Sequence, residues 1–302
     1  LRVYTYRPEQ AGVSAWPSGE LRLAGSIPVD DPKDADVFVC PGNLSLFWNG
    51  RDGLDHKKMY QLPYLKGNEA RHVFLDISDN FRKACGLPCM FIRCDVRSWM
   101  LKDDPNTIQF AWPVEDFAEC IDLPAGGFLD DVSFHGWLSS DARKIAAESC
   151  ASARTRGLRA NLALYRDFYG YIEKTPEGYR RRAEYVHSLR NSRMALCPES
   201  IPGVLPYRFF EAMSAARMPV LVGTDYVLPF EDEIPYDDFC LFVDTDKAAT
   251  VADVIQAAVK YTSDQDFIEA GKIARKYWEL YLDHHKWLDL FTKCVEDKLC
   301  VS

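Results

Sequence analysis

Short apolar runs bounded by turn residues recur along the chain, with longer amphipathic stretches between them. Residues 1–6 (Leu-Arg-Val-Tyr-Thr-Tyr) predict a first strand, and residues 36–40 a second that Pro41-Gly42 ends. Residues 72–76, 90–93 and 107–110 predict three more strands, and residues 52–66 suit a helix. The runs are apolar at nearly every position rather than at alternate ones. That pattern fits strands covered on both faces, as in a parallel sheet assembled from βαβ units.

The pattern breaks at Trp112-Pro113 and again at Leu123-Pro124-Ala125-Gly126-Gly127, and then restarts. Strands are predicted over 132–135, 162–165, 194–198, 219–222 and 240–243. Helices are predicted over 141–153, 183–192, 207–217 and 250–261, with a last stretch over 264–295 interrupted near Asp283. Ser139-Ser140-Asp141 supplies a cap for the first of these. Placing the boundary at the second break gives an N-terminal Rossmann-like domain over 1–125 and a second one over 126–275. Residues 276–302 predict a final helix whose Tyr277, Trp278, Tyr281 and Trp287 are either a core stripe or a face that packs on the first domain. The expected fold is α/β: two facing doubly wound domains with a cleft between them. In such sheets ligands lie beyond the carboxyl ends of the strands, where helix N-termini offer free N–H groups to phosphates.

A length of 302 residues agrees with two domains of roughly 150 residues each. Hydrophobic residues at 47% and charged residues at 27% describe a soluble globular chain. Lys and Arg total 36 against 45 Asp and Glu, a net charge of -9, which argues against nucleic acid as a partner. No apolar run reaches the ~18 residues of a membrane span. The start lacks Met and a signal-peptide pattern, so the chain reads as cut or processed. Among the 10 cysteines, Cys40, Cys197 and Cys240 sit in apolar runs and tilt the location towards a reducing cytoplasm. A Golgi or ER lumen stays open if an N-terminal anchor has been removed. Only Cys85 and Cys89 approach metal-ligand spacing, and no second pair follows, so no metal site is expected. No G-x-G-x-x-G follows a strand and no phosphate loop or nucleophile elbow appears, which disfavours a nicotinamide site, a P-loop NTPase and an α/β-hydrolase.

The informative stretch runs from Leu189 to Val243. Ser192, Cys197-Pro198, Arg208, Glu211-Ala212, Pro219-Val220, Asp225 and Leu228-Pro229-Phe230 occur in order along it. This series resembles the C-terminal half of exostosin-like glycosyltransferases, the GT47 family. Residues 130–245 match well and the first 125 only in general style. Family members often carry Gly before Pro-Val, where this chain has Arg217-Met218. The resemblance implies a GT-B fold, with 1–125 on the acceptor side, 126–275 holding the nucleotide sugar and the 276–302 helix crossing back onto the first domain, and an inverting, metal-independent transfer without a resident cofactor. A sugar would pass from a nucleoside diphosphate, UDP before GDP, to a hydroxyl of a glycan acceptor.

Glu211 matches the carboxylate that holds the nucleotide ribose, and an acceptor-only group can take both ribose hydroxyl protons. Arg208, three residues earlier on the same helix face, suits a diphosphate bidentately; the alternative is an ion pair with Glu211 or Glu199. Pro198, Glu199 and Ser200 end a strand, and with Tyr207 they complete the expected donor set. At the first strand-to-helix turn of the second domain, Gly136 permits close backbone approach to phosphate and Arg143 adds charge. His135 is either a donor contact or a satisfied strand-end histidine. The Arg180-Arg181-Arg182 run combines a solvated helix start with one phosphate or acceptor contact. A general base is expected among Asp76 and Asp79 after the third strand, with Asp95 and Glu115 behind them, although Asp76 also suits a cap. Trp48 and Trp112 are either a sugar-stacking face or core. Two other readings share the architecture: a sugar-nucleotide epimerase, and a glycan-binding module without turnover.

Overall fold

The computed structural model describes residues 1–11, 26–43, 47, 55–76, 86–123, 125–165 and 175–300. Asp79, Trp48 and Cys85 lie outside the described residues. The chain divides into two compact units. The first comprises Leu1–Trp112, Val227–Pro229 and His284–Ser302; the second comprises Pro113–Tyr226 and Phe230–Asp283. Residues 113–125 and 276–283 therefore group with the second unit.

The first unit is a six-stranded parallel sheet. Its strands are β1 (Arg2–Thr5), β2 (Ile27–Pro28), β3 (Val37–Asn43), β4 (His72–Asp76), β5 (Met90–Arg93) and β6 (Thr107–Gln109), in the order β2-β1-β3-β4-β5-β6. Two short helices, α1 (His56–Met59) and α2 (Met100–Asp103), lie in its connections. Among the described residues of the helix read over 52–66, only α1 is helical, because Pro63 lacks the N–H that a continuing helix needs. The core beside β4 is aromatic. The His72 ring lies 4.7 Å from that of Phe38 with an interplanar angle of 5°, and Tyr6, Tyr64 and Phe74 pack around the pair.

His72 is fully buried with both ring nitrogens engaged: Nδ1 with the Asn68 carbonyl at 2.7 Å, Nε2 with the Tyr6 hydroxyl at 2.8 Å. A neutral ring donates from Nδ1 to the Asn68 carbonyl, while the Tyr6 hydroxyl beside Nε2 also meets the Pro63 carbonyl. Burial pushes its pKa down to about 4.

The second unit is a five-stranded parallel sheet of β7 (Asp130–Trp137), β8 (Ala160–Tyr165), β9 (Ser192–Pro198), β10 (Met218–Val222) and β11 (Leu241–Val243), in the order β11-β10-β9-β7-β8. The chain leaves β7 one way to β8 and returns the other way to β9. Right-handed crossovers then place α3 (Asp141–Ala153) on one face and α4 (Pro176–Asn191) and α5 (Tyr207–Ser214) on the other. α6 (Val251–Tyr261) packs with α3 over a core of Val132, Phe134, Ala146, Leu196 and Val220.

Helix ends follow local chemistry. α4 starts earlier than its apolar pattern suggests, because Thr175 caps it through the Gly178 N–H at 3.1 Å and Pro176 sits in its first turn. α5 stops at Ser214 because Ala216 turns to a φ of 55° before Arg217. The last stretch is α7 (Asp264–Tyr277), a wider turn over Trp278–Leu282, a break at Asp283, and α8 (Trp287–Cys300). α8 groups with the first unit, where the rings of Phe291 and Phe110 lie 4.4 Å apart. No helix among the described residues is long and apolar enough to cross a membrane.

The buried neutral His72 gives a signed pH dependence. An unfolded chain takes up a proton near pH 6.5, whereas the folded ring resists it down to about pH 4. Its contribution is complete above pH 6.5 and is lost as pH falls through that window, about 3 kcal/mol in full. Urea unfolding at pH 7 and pH 4.5 should show this loss, and His72→Gln should reduce it. An equal loss in the variant would refute the assignment to His72.

Candidate functional site

β7 and β9 are neighbours whose connections depart in opposite directions, which opens a crevice at their carboxyl ends. Trp137 ends one strand and Pro198 the other. Ser140 caps α3 by accepting the Arg143 N–H at 3.2 Å, and its hydroxyl donates to the Glu199 carbonyl at 2.7 Å. One turn into α3, the Arg143 guanidinium is buried between the two strand ends. Nε donates to the Pro198 carbonyl, and Nη1 donates to the Trp137 carbonyl and the Ser139 hydroxyl, each at 3.2 Å. Burial lowers its pKa, and the charge of Arg208 lowers it further.

Arg208 enters the same crevice from the first turn of α5. Its Nη2 donates to the His135 carbonyl. Its guanidinium carbon lies 5.0 Å from the centre of the Phe134 ring and 5.8 Å from that of Tyr185. Its Nε is buried without a hydrogen-bond partner. Among the described residues, neither Arg143 nor Arg208 forms an ion pair with a carboxylate, so the alternative of an Arg208 pair with Glu211 or Glu199 is not realised. Two adjacent guanidinium groups thus carry positive charge that carbonyl dipoles offset only in part, and such a crevice attracts an anion.

Glu211, one turn further along α5, is buried and accepts the Tyr185 hydroxyl at 2.7 Å. Tyr185 thereby touches both functional candidates of α5, as a ring under Arg208 and as a donor to Glu211. Tyr207 is half exposed at the start of the helix, and Ser200 is half-buried just beyond β9.

Glu199 differs from the expected donor contact. Its carboxylate is buried and accepts the N–H of Gly203 at 3.0 Å, the N–H of Thr224 at 3.4 Å and the hydroxyl of Thr245. It clasps the loops that leave β9, β10 and β11. The side chain of His135 also turns to another task. Its Nε2 meets Asn161 Oδ1 at 3.0 Å, and the ring borders an open depression of about 420 Å³ with Asn161, Arg180, Ala183, Glu184 and His187. Burial lowers the pKa of this ring. Only the His135 backbone serves the arginine crevice.

The basic run at the start of α4 is taken up by ion pairs. Arg180 pairs with Glu177 at 2.7 Å and with Glu184; Arg181 pairs with Glu177 at 2.6 Å; Arg182 pairs with Glu115 at 3.0 Å and Glu119 at 2.8 Å. In the first unit, Asp76 and Arg93 occupy paired register positions on β4 and β5, and both side chains are buried in a 3.2 Å ion pair. This carboxylate is tied into the sheet rather than open to an acceptor. Asp95 is likewise buried, 3.7 Å from Arg97, and Trp112 is core.

The comparisons agree with the motif and with the fold. Residues 146–258 match the exostosin GT47 domain, a span that includes Glu199, Arg208 and Glu211 and leaves out His135, Gly136 and Arg143. A probable glucuronosyltransferase of Oryza sativa subsp. japonica is 39% identical over 62 residues, which cover 20% of this chain and 14% of that protein. The matched segment is thus a small fraction of the relative's length. Among solved structures, a glycosyltransferase from Rickettsia africae ESF-5 aligns with a TM-score of 0.52 at 9% identity, covering 89% of this chain and 78% of its own. Anabaena HepE in complex with UDP and glucose aligns with a TM-score of 0.51 at 10% identity, with the same coverage. The GT47 resemblance is borne out over 146–258, and the α/β, GT-B class is the observed fold.

If Glu199 is a clasp, its removal is first a matter of stability. Glu199→Ala strips the acceptor from two buried N–H groups and a hydroxyl, and should lower unfolding free energy by about 2–4 kcal/mol. Denaturant melts of the two proteins measure this directly. Wild-type stability in the variant would show that the carboxylate is free for another role.

Proposed function

We propose that the chain is a glycosyltransferase that moves a sugar from a nucleoside diphosphate to a hydroxyl of a glycan acceptor without a metal ion. The observation that carries this reading is the pair of guanidinium groups, Arg143 and Arg208, at the β7–β9 crevice with no carboxylate partner among the described residues. A diphosphate is the ligand whose charge and oxygen spacing such a pair suits. As the bond between the anomeric carbon and the phosphate oxygen breaks, negative charge grows on the leaving diphosphate. Arg208 is the group that stabilises it, with Arg143 holding the strand ends around the crevice and adding to the field. This is the charge compensation for which other transferases use a divalent cation.

Glu211 would take the ribose hydroxyls, held in place by Tyr185. Support for UDP comes from the Anabaena neighbour, whose structure contains UDP and glucose. The rice relative makes a glucuronosyl donor the first sugar to test. In an inverting transfer the acceptor oxygen attacks the anomeric carbon while a carboxylate receives its proton. Of the two expected carboxylates, Asp76 is held in the ion pair with Arg93, so Asp79 is the proposed base.

A thermal-shift panel of UDP, GDP, their sugar conjugates and NAD, on wild type and Glu211→Ala, tests the donor site. A ligand at about 100 times its dissociation constant adds about 2.7 kcal/mol, which is readily seen in a melt. A shift with one nucleotide that is lost in Glu211→Ala is expected. The reading fails if no nucleotide moves the wild-type transition.

A further inference from the structure

Gly136 is a glycine without a backbone reason to be one. It lies inside β7, paired with Leu164 of β8, and is not among the residues with positive φ. Any L-residue suits that backbone, and glycine in a strand interior is destabilising. What the position lacks is room. A Cβ built there would sit 2.7 Å from the Arg208 guanidinium carbon and 3.1 Å from Nη1, with Nη2 closer still. The space that sequence reasoning reserved for a phosphate is filled by a side chain of the protein itself.

We propose that Gly136 is a positioning residue. Its missing Cβ forms a notch in β7 that seats the Arg208 guanidinium, and the anion site depends on that seat. Three contacts define it. The His135 carbonyl accepts Nη2, the Phe134 ring faces the guanidinium from the preceding strand position but one, and the Tyr185 ring faces it from α4. The notch adds the fourth wall. A methyl group there forces the planar guanidinium away from the carbonyl, and a flexible arginine stem lets it go without disturbing the strand. The positioning step stands on the geometry alone; its consequence for a diphosphate rests on the donor-site reading above.

The test separates the two. Arginine-specific modification by phenylglyoxal, read residue by residue by mass spectrometry, should proceed several-fold faster at Arg208 in Gly136→Ala than in wild type, with Arg180 as an unaffected reference. Gly136→Ala should also lower the melting temperature of the wild-type background and not that of Arg208→Ala, where the clash is absent. UDP affinity should fall roughly 10- to 100-fold in Gly136→Ala, the range of a charge-assisted hydrogen bond. Arg208→Ala and the double variant should bind UDP equally, since the glycine acts only through the arginine. Unchanged Arg208 modification, or an equal melting loss in both backgrounds, overturns the notch. If modification and melting behave as expected but wild type binds no UDP, the notch stands and the donor-site reading falls.

Discussion

The second unit depends on how it holds buried guanidinium groups. A cation taken out of water needs compensation, and here backbone carbonyls provide it in place of carboxylates. Arg217 shows the complete form. It is buried, and its nitrogens donate to the carbonyls of Leu189, Arg190, Ala215, Ala216 and Cys120 at 2.6–3.1 Å. Those carbonyls cluster where α4 and α5 end, and helix C-termini carry the partial negative charge that suits a cation. Arg217 thus fastens both helices behind β9 and β10.

Arg143 and Arg208 use the same device in less complete form. Arg143 ties two strand ends together with three hydrogen bonds, whereas Arg208 makes one and leaves Nε buried without a partner. A native structure satisfies nearly all its buried donors, so Arg208, with bonds to spare, stands apart from the saturated Arg217. The same logic separates two buried glutamates. Glu199 is occupied by three donors from three loops, and Glu211 is steadied by Tyr185. Their sequence contexts are equally suggestive, and the donors around them distinguish their tasks.

The strands were the most legible part of the sequence. His72–Asp76 and Met90–Arg93 are strands over the residues predicted, and α3 spans the predicted 141–153 because a serine cap precedes a regular apolar face. β2 escaped notice because two residues carry no pattern. The first turns of α4 were missed because Arg180–Arg182 and Glu177 mask its amphipathic face, although Thr175-Pro176 is a start signal in its own right. Read as a solvated helix start without glutamate partners, the arginines left one for a phosphate or acceptor contact. In the helix they stand three and four residues from glutamates and pair with them. Tyr185 was missed for a different reason. Its partners Arg208 and Glu211 are more than twenty residues away, and no local spacing encodes that meeting. At Gly136 a phosphate was expected to approach the backbone, and the side chain that lies against it is that of Arg208, whose meeting with β7 no local spacing encodes.

The two sheets put charge to opposite uses at their carboxyl ends. In the first unit, β4 and β5 end in Asp76 and Arg93, which occupy paired register positions and neutralise each other inside the sheet. In the second, β7 and β9 end in carbonyls that hold two arginines and leave their charge uncancelled by any described carboxylate. An internally neutral end has little field to offer a small anion. An end that keeps net positive charge in a low-dielectric crevice has a strong one. The exostosin GT47 match over 146–258 falls within this second unit except at Val227–Pro229. The glycine and Arg143 that help form the crevice lie just ahead of that match, in β7 and the first turn of α3, so the charged site is built from both sides of its boundary.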